Sequence, residues 1–510
     1  MNFKIQYHKW AESEYKLLNK SIRNLLNMTS LQFYMPFYSL YFYVHNKRQA
    51  PNKIDLKRNY YLKEITEITK SRYYNSNMFL LGNIYDECKN ITTETELFCK
   101  SIPIVDPIHC INNNYNFVNN SNHHLPSNYN HNTFHKINDI NNTAYIDVLC
   151  SYLFGELAYR KVNPSFPLFY GSVNGIGDYN YDLTEDYNDI RDDKSFNENI
   201  DKGFELEIYV SDKEDVSSRS DRSDKEDVSS RSGGSDRSVR SGGSVISDRS
   251  DRSGESDRSD RSGESDRSDE DDYDDCIAKI KKIPIQMLYI EKLEGTLEDL
   301  IDENIEEEVL LSCIFQISFA LTYLQKNFDF THNDLHINNV MYSKTETKYI
   351  YYKYNNKYYR VPTHGYVFKI IDFGRAIFKY RNKIFMNDVF SSHGEAGGQY
   401  YHPSQIDFMI EDKRTKIQPN YHFDLCRLSM TILDEIDNKN YSDGCIKFLH
   451  SMCKNGLEMS FCDMNDDFNL YKAIAKDACN CLPREIILND IFKEYCIKKN
   501  KFPRKSFYTV

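Results

Sequence analysis

The sequence predicts an α+β protein built from more than one folding unit. Three observations predict it. At 510 residues the chain is too long for a single compact core. Residues 76–110 alternate short apolar runs with polar breaks, the pattern of a β-rich segment. Residues 309–325, VLLSCIFQISFALTYLQ, are apolar on most faces, as a buried helix is.

Composition sets the bounds. Hydrophobic residues make up 40% and charged residues 27%, which fits a soluble globular protein with a disordered insert. The net charge of −12 points to no nucleic-acid partner. The 13 cysteines show no paired C-x-x-C spacing. That argues against a zinc ribbon or a disulfide scaffold and for a reducing compartment, the cytoplasm. Residues 1–20 are mixed polar and charged, unlike a secretory signal. The most apolar run, Leu31 to Val44, contains Pro36 and is too short to span a bilayer, so it reads as packing rather than membrane contact.

Taken in order, residues 1–75 read as a helical or mixed N-terminal extension. Met78–Leu81, Ile84–Glu87 and Glu96–Lys100 read as three strands. Residues 111–143 are rich in Asn and His and read as a loop; His123, His124, His131 and His135 have no regular ligand spacing. Residues 143–161 read as a helix, and NPSFPLFYGSV as an extended segment after its stop. Residues 211–272 repeat Ser, Asp and Arg: SDKEDVSSRS recurs at 211 and 223, SGESDRSD at 253 and 262. Such a tract has almost no apolar surface to offset the entropy of ordering, so it reads as a disordered insert. IPIQMLYIEKLEG, from Ile283, reads as a buried strand and turn, and 296–327 as two helices. Residues 421–437 and 443–456 read as helices. Tyr-rich runs such as Tyr349–Asn356 read as compositional bias.

The chemistry sits in two motifs. THNDLHINNVMY, Thr331 to Tyr342, contains His332, Asp334, Leu335 and Asn339 in the pattern H-x-D-L-x-x-x-N. Asp372-Phe373-Gly374 follows 33 residues after Asn339, behind the apolar run Val367–Ile371. Phosphoryl transfer needs in-line positioning and neutralisation of phosphate charge. Asp334 is the carboxylate for the nucleophile's proton. Asp372 and Asn339 are hard oxygen donors for Mg²⁺. Gly374 gives the backbone freedom to swing the aspartate and phenylalanine.

These segments resemble the eukaryotic protein-kinase fold, especially its divergent branches. HNDLHINNV is similar to the haspin-type catalytic loop. LFCKSIPIVDP, NNTAYIDVLCSYL and PLFYGS are similar to kinase-like proteins of giant DNA viruses. The resemblance implies a bilobal fold, a small β-rich N-lobe over a larger helical C-lobe, with ATP and Mg²⁺ between them. It divides the chain into an extension (1–75), an N-lobe with the insert (76–292) and a C-lobe (293–510). It implies an ATP-contacting lysine at Lys100, with Lys136 as a rival, and an acid partner for it at Asp147 or Glu156. It puts Gly82 in what is left of the glycine-rich loop, Glu291 and Leu293 at the adenine-facing hinge, and Asp424 on the backbone of the catalytic loop. The implied activity is transfer to Ser or Thr hydroxyls of a protein substrate, in a host cytoplasm or virion.

Four departures stand out. Asn333 occupies the place where regulated kinases have Arg, which argues against control by a phosphorylated activation loop. The glycine-rich loop is nearly absent. His336 replaces a Lys, and GGQYYHPSQID stands where A-P-E is expected. Two other readings therefore accompany the first: a pseudokinase scaffold, and a small-molecule kinase of the choline or aminoglycoside type.

Overall fold

The computed structural model describes residues 7–9, 12–33, 54–71, 76–115, 125–126, 135–209, 275–380, 383–391, 394–400, 419–436, 439–465 and 468–510. The tract 211–272, most of the run 31–44, and His123, His124 and His131 lie outside them. The described fold is α+β.

Seven strands form the largest sheet: β1 (Thr29–Gln32), β2 (Tyr60–Ser71), β3 (Met78–Asp86), β4 (Ile91–Pro103), β5 (Phe169–Asp182), β6 (Phe204–Tyr209) and β7 (Asp275–Glu291). Their order is β1-β5-β7-β4-β3-β2, with β6 also on β7, and all pairs are antiparallel. Strand β7 is long enough to carry β4 and β6 one after the other along a single edge, with β5 along the other.

The sheet runs across the expected boundary at residue 75. Ser71 of β2 pairs with Met78 of β3, and helix α1 (Glu12–Leu25) lies against β2, where Ser21 Oγ accepts from the Ile65 amide at 3.1 Å. The misreading has a physical cause. Leu62, Ile65 and Ile68 recur every third residue, which imitates a helical face. In β2 the register shifts after each of them, so one extra residue per step keeps all three on the same side of a strand. Met78–Leu81 and Ile84–Glu87 are likewise one strand rather than two, with Gly82 at its middle. Gly82 pairs with Ile65 and Thr95. A Cβ there would come within 2.7 Å of Leu62 Cδ1 and 2.9 Å of Glu64 O and Leu97 Cδ2. Gly82 thus serves close packing within the sheet and not a loop over phosphates. The residues that connect β2 to β3, 72–77, include no glycine.

Helix α2 (Thr143–Tyr159) is capped by Asn142, whose side chain accepts from the Ala144 amide, and is buried from Ala144 to Leu157. Strand β8 (Gly295–Thr296) leads into α3 (Leu297–Asp302), where Thr296 and Asp299 form a reciprocal capping box. Helix α4 (Glu307–Phe328) is long and apolar enough to cross a bilayer, but its most apolar stretch is 83% buried inside the protein, as a core helix is.

Between the two motifs the chain makes four strands: β9 (Val340–Lys344), β10 (Tyr349–Tyr354), β11 (Lys357–Pro362) and β12 (Tyr366–Ile370). β9 pairs with β12, Val340 opposite Ile370, and this brings motifs 33 residues apart side by side. The run read as compositional bias is β10. Its inward residue Tyr352 packs on Phe315 and Phe319 of α4, with ring centroids 5.6 and 4.4 Å apart. Helices α5 (Phe423–Ile436), α6 (Asp443–Met452) and α7 (Phe468–Asp477) follow. The chain ends in two short strands, β13 (Cys496–Ile497) on β11 and β14 (Tyr508–Thr509) on β10.

Candidate active site

Lys100 leaves β4 two residues after Phe98, on the opposite side from buried Cys99. Its Nζ lies 2.7 Å from Asp147 Oδ2 and 2.8 Å from Asp372 Oδ1. One cation therefore ties the central sheet to α2 and to the segment after β12. Asp147 is 1% exposed, and its other oxygen accepts from the Phe373 amide at 3.1 Å. Burial raises the Asp147 carboxyl, against the opposing charge of Lys100. Burial also works against the charge on Lys100, but the two carboxylates outweigh it and push the ammonium above its ordinary value. Asp372 is the outermost of the three. Although its surroundings are desolvating, Lys100 holds its carboxyl down to about 2. The left-handed residue in this turn is Asp372 itself, at φ 57°, rather than Gly374. Aspartate tolerates that conformation as a single residue.

The loop carrying Asp334 and Asn339 is held from beneath. Asp424, at the start of α5 and fully buried, accepts from the His332 amide with both oxygens at 3.0 Å and from the Asn333 amide at 3.0 Å. Burial raises its carboxyl, opposed by His332 and the two amides. His332 Nε2 is 2.8 Å from Ile371 O, a bond that ties the loop to the segment before Asp372. Phe373 is buried against Phe154, with ring centroids 5.0 Å apart, and against His332 at 5.7 Å. Asn339 donates from Nδ2 to Asp334 O at 2.8 Å. The same Nδ2 is 2.9 Å from His336 Nε2. Burial lowers His336, and its Nδ1 accepts from the Asn338 amide at 3.3 Å. No hydrogen bond among the described residues uses Asn339 Oδ1 or Asp372 Oδ2, so two hard oxygens are uncommitted.

Other expected residues are occupied elsewhere. Glu156 pairs with Arg160 at 2.9 Å and does not reach Lys100. Lys136 pairs with Asp388 at 3.0 Å. The Glu291 carboxylate takes Lys369 Nζ at 2.7 Å and the Leu168 amide at 2.9 Å, while its own amide donates to Leu168 O. Glu291 thus offers neither side chain nor N–H to a ligand. Leu293 is buried, and the next amide, Glu294 N, donates to Tyr342 O. Asn333, at φ 63°, donates to Thr331 Oγ1 and Arg375 O and accepts from Tyr400 Oη at 2.8 Å. It is a buried brace.

Two neighbours of Asp334 were not legible in the sequence. Tyr471, from α7, donates to Asp334 Oδ1 at 3.1 Å. Arg375 approaches Oδ2 at 4.0 Å and also lies over the Tyr471 ring. Burial, with Asp334 adding, pushes the Tyr471 phenol up to about 12, so it stays a donor. Arg375 follows the second motif directly and could have been suspected from its position. Tyr471 lies 137 residues from its partner and carries no motif.

No family model matches the chain. It is 29% identical over 155 residues to a provisionally named serine/threonine-protein kinase of Acanthamoeba polyphaga mimivirus, a match covering 26% of this chain and 38% of the relative. It is 39% identical over 62 residues to the serine/threonine-protein kinase haspin of Mus musculus, covering 12% of this chain and 8% of that protein. The chain therefore spans well under half the length of either. The two matches support a divergent kinase-like relationship.

Proposed function

We propose that this divergent kinase-like chain transfers the γ-phosphoryl group of ATP, with Mg²⁺, to Ser or Thr hydroxyls of a protein substrate. The observation that supports it best is the Lys100–Asp147–Asp372 ion-pair chain standing beside a loop that Asp424 holds by its backbone. In this reading the seven-stranded sheet with α2 is the small lobe. It takes in β1 and β2, and the helical remainder from residue 293 is the large lobe. The cytoplasm is the compartment we propose, and all 13 cysteines are free thiols.

The uncommitted oxygens fit the cofactor. Asp372 Oδ2 and Asn339 Oδ1 would hold Mg²⁺, which favours one or two protein oxygens beside those of a phosphate. When bound, ATP–Mg²⁺ supplies the transferable phosphoryl group and neutralises its charge. Lys100 would take a nucleotide phosphate while Asp147 keeps the ammonium oriented. Asp334 would accept the substrate hydroxyl's proton, its carboxylate aimed by Tyr471 and Arg375. Main-chain groups near Leu293 would meet the adenine.

One observation favours a second reading, a nucleotide-binding scaffold without turnover: the sequence connecting β2 to β3 has no glycine of the kind that lets amides approach phosphate. Incubating the chain with labelled ATP, Mg²⁺ and a basic protein substrate separates the two. The first reading expects transfer by the wild type and none above background in Asp334→Ala and Asp372→Ala. A thermal shift with ATP–Mg²⁺ but no transfer to any protein would favour the scaffold.

A further inference from the structure

The net charge of −12 conceals a local excess of the opposite sign. Neither residues 347–371 nor residues 495–510 contain an Asp or Glu. These two stretches, far apart in sequence, fold into one four-stranded sheet in the order β13-β11-β10-β14. The two central strands contribute Lys353, Lys357 and Arg360. The terminal segment contributes Lys498, Lys499, Lys501, Arg504 and Lys505. All are exposed except Lys353, which is half-buried. None is in an ion pair among the described residues, whereas Lys100, Lys136, Lys369 and Arg375 all are.

Pairing concentrates these cations. Ile350, Tyr352, Tyr354, Tyr359 and Val361 point into the core, so Tyr351, Lys353, Tyr358 and Arg360 face outward. Tyr351 is opposite Arg360, and Lys353 opposite Tyr358. Arg360 lies over the Tyr349 ring, 4.6 Å from its centroid, which leaves the charge exposed while fixing the side chain. Phe502 packs on Tyr358 and Tyr351, with centroids 4.8 and 5.9 Å apart, and so folds the basic terminal segment back over this face. A cleft of about 610 Å³ opens at the β11–β13 edge, with Lys357 and Lys499 both on its wall.

We propose that this sheet is a binding surface for the phosphate backbone of a nucleic acid. Eight cations outside any ion pair among the described residues, two of them (Lys353 and Arg360) seated on tyrosine rings, offer charge complementary to phosphates. A protein partner would need apolar anchors; Phe502 packs on Tyr351 and Tyr358, and the exposed ring of Tyr349 lies under Arg360. The sheet is separate from the one whose β9–β12 pair joins the motifs, so it would tether a nucleic acid to the protein rather than present it for reaction.

The test is fluorescence anisotropy of the full-length chain with a labelled 20-base-pair duplex and with the matching single strand, titrated at several salt concentrations. Affinity is expected to fall about tenfold or more between 50 and 200 mM salt, as release of counterions from several phosphates requires. The Lys499→Glu, Lys501→Glu, Arg504→Glu triple variant should weaken binding at least tenfold, with phosphotransfer to a basic protein and melting temperature unchanged. Should that variant melt early, Lys499→Gln with Lys501→Gln reads the same contact with less strain. Preference between duplex and single strand identifies which backbone geometry the sheet fits. Four results would overturn the proposal: no binding to either oligonucleotide, binding unchanged by charge reversal, binding lost only on deletion of the Arg-containing tract 211–272, or capture of phosphatidylserine vesicles or a polyglutamate peptide in preference to nucleic acid.

Discussion

Asp334 owes its orientation to a residue from a distant helix. Tyr471→Phe keeps the ring beneath Arg375 and removes only the hydroxyl that donates to Oδ1. A bond to a charged group of this kind is worth about 1.4 kcal/mol or more, so kcat should fall about tenfold with the KM for ATP within about twofold. Steady-state kinetics on both variables check it, and an unchanged kcat would mean that Asp334 needs no such aid. Asp372 makes a pH-dependent contribution. Its folded carboxyl is held down to about 2. The stability it adds is complete above the unfolded value of about 3.9 and is lost as pH falls through the folded one. The side chain is 43% exposed, so solvent screening leaves about 1 kcal/mol. Urea midpoints of Asp372→Asn should accordingly decline less than those of the wild type between pH 4 and pH 2. Motif spacing singled out Asp334, Asn339 and Asp372 as candidates. It could not choose between Asp147 and Glu156, which lie nine residues apart on α2 and are both buried. That choice depends on which helical face meets β4, and Arg160 had already claimed Glu156.

Elements act here as clamps. The first turn of α5 presents Asp424 to two loop amides, and His332 carries the same loop to Ile371. Asp424→Ala would leave two buried N–H groups without acceptors, at about 1–3 kcal/mol each. A loss of about 3 kcal/mol in denaturant unfolding is expected, with phosphotransfer reduced at least tenfold well below the melting temperature. Asp424→Asn retains one acceptor oxygen and should fall between. If Asp424→Ala lost stability but not activity, the clamp would be structural alone. Helices were the more legible elements, because α2 and α4 are apolar on nearly every face and are bounded by polar caps. β2 was not legible, since its bulges place three-residue spacing on one side of a strand.

At the scale of the whole molecule, the C-terminal segment and the strands between the two motifs depend on each other. The β13–β14 segment covers Tyr351 and Tyr358 and pairs with both strands inserted between the motifs. Removing residues 496–510 should expose those rings and lower the melting temperature by roughly 5 °C or more, given the usual relation between stability and melting point. The ion pairs around Lys100 involve none of these residues, so basal phosphotransfer at 25 °C should survive. Loss of activity without loss of stability would mean that the terminal sheet also serves the site. The basic face of that sheet also shows that whole-chain charge does not describe local charge. A sum over 510 residues averages away a cluster assembled from two separate stretches.

Residue order alone carried the α+β class, the buried helices and the two motifs, because these rest on local periodicity and short fixed spacings. The partners of those residues rested on contacts across long sequence distances. Lys100 reaches Asp147 and Asp372, and Tyr471 reaches Asp334, only because sheets and helices bring them within 3.1 Å. Gly82 shows the same divide. A glycine near a turn reads as freedom for a loop, but its position between Leu62 and Leu97 makes it a packing residue. Spacing along a chain limits which chemistry is available. Which groups meet is set by burial and strand register, and those exist only once distant segments pack together.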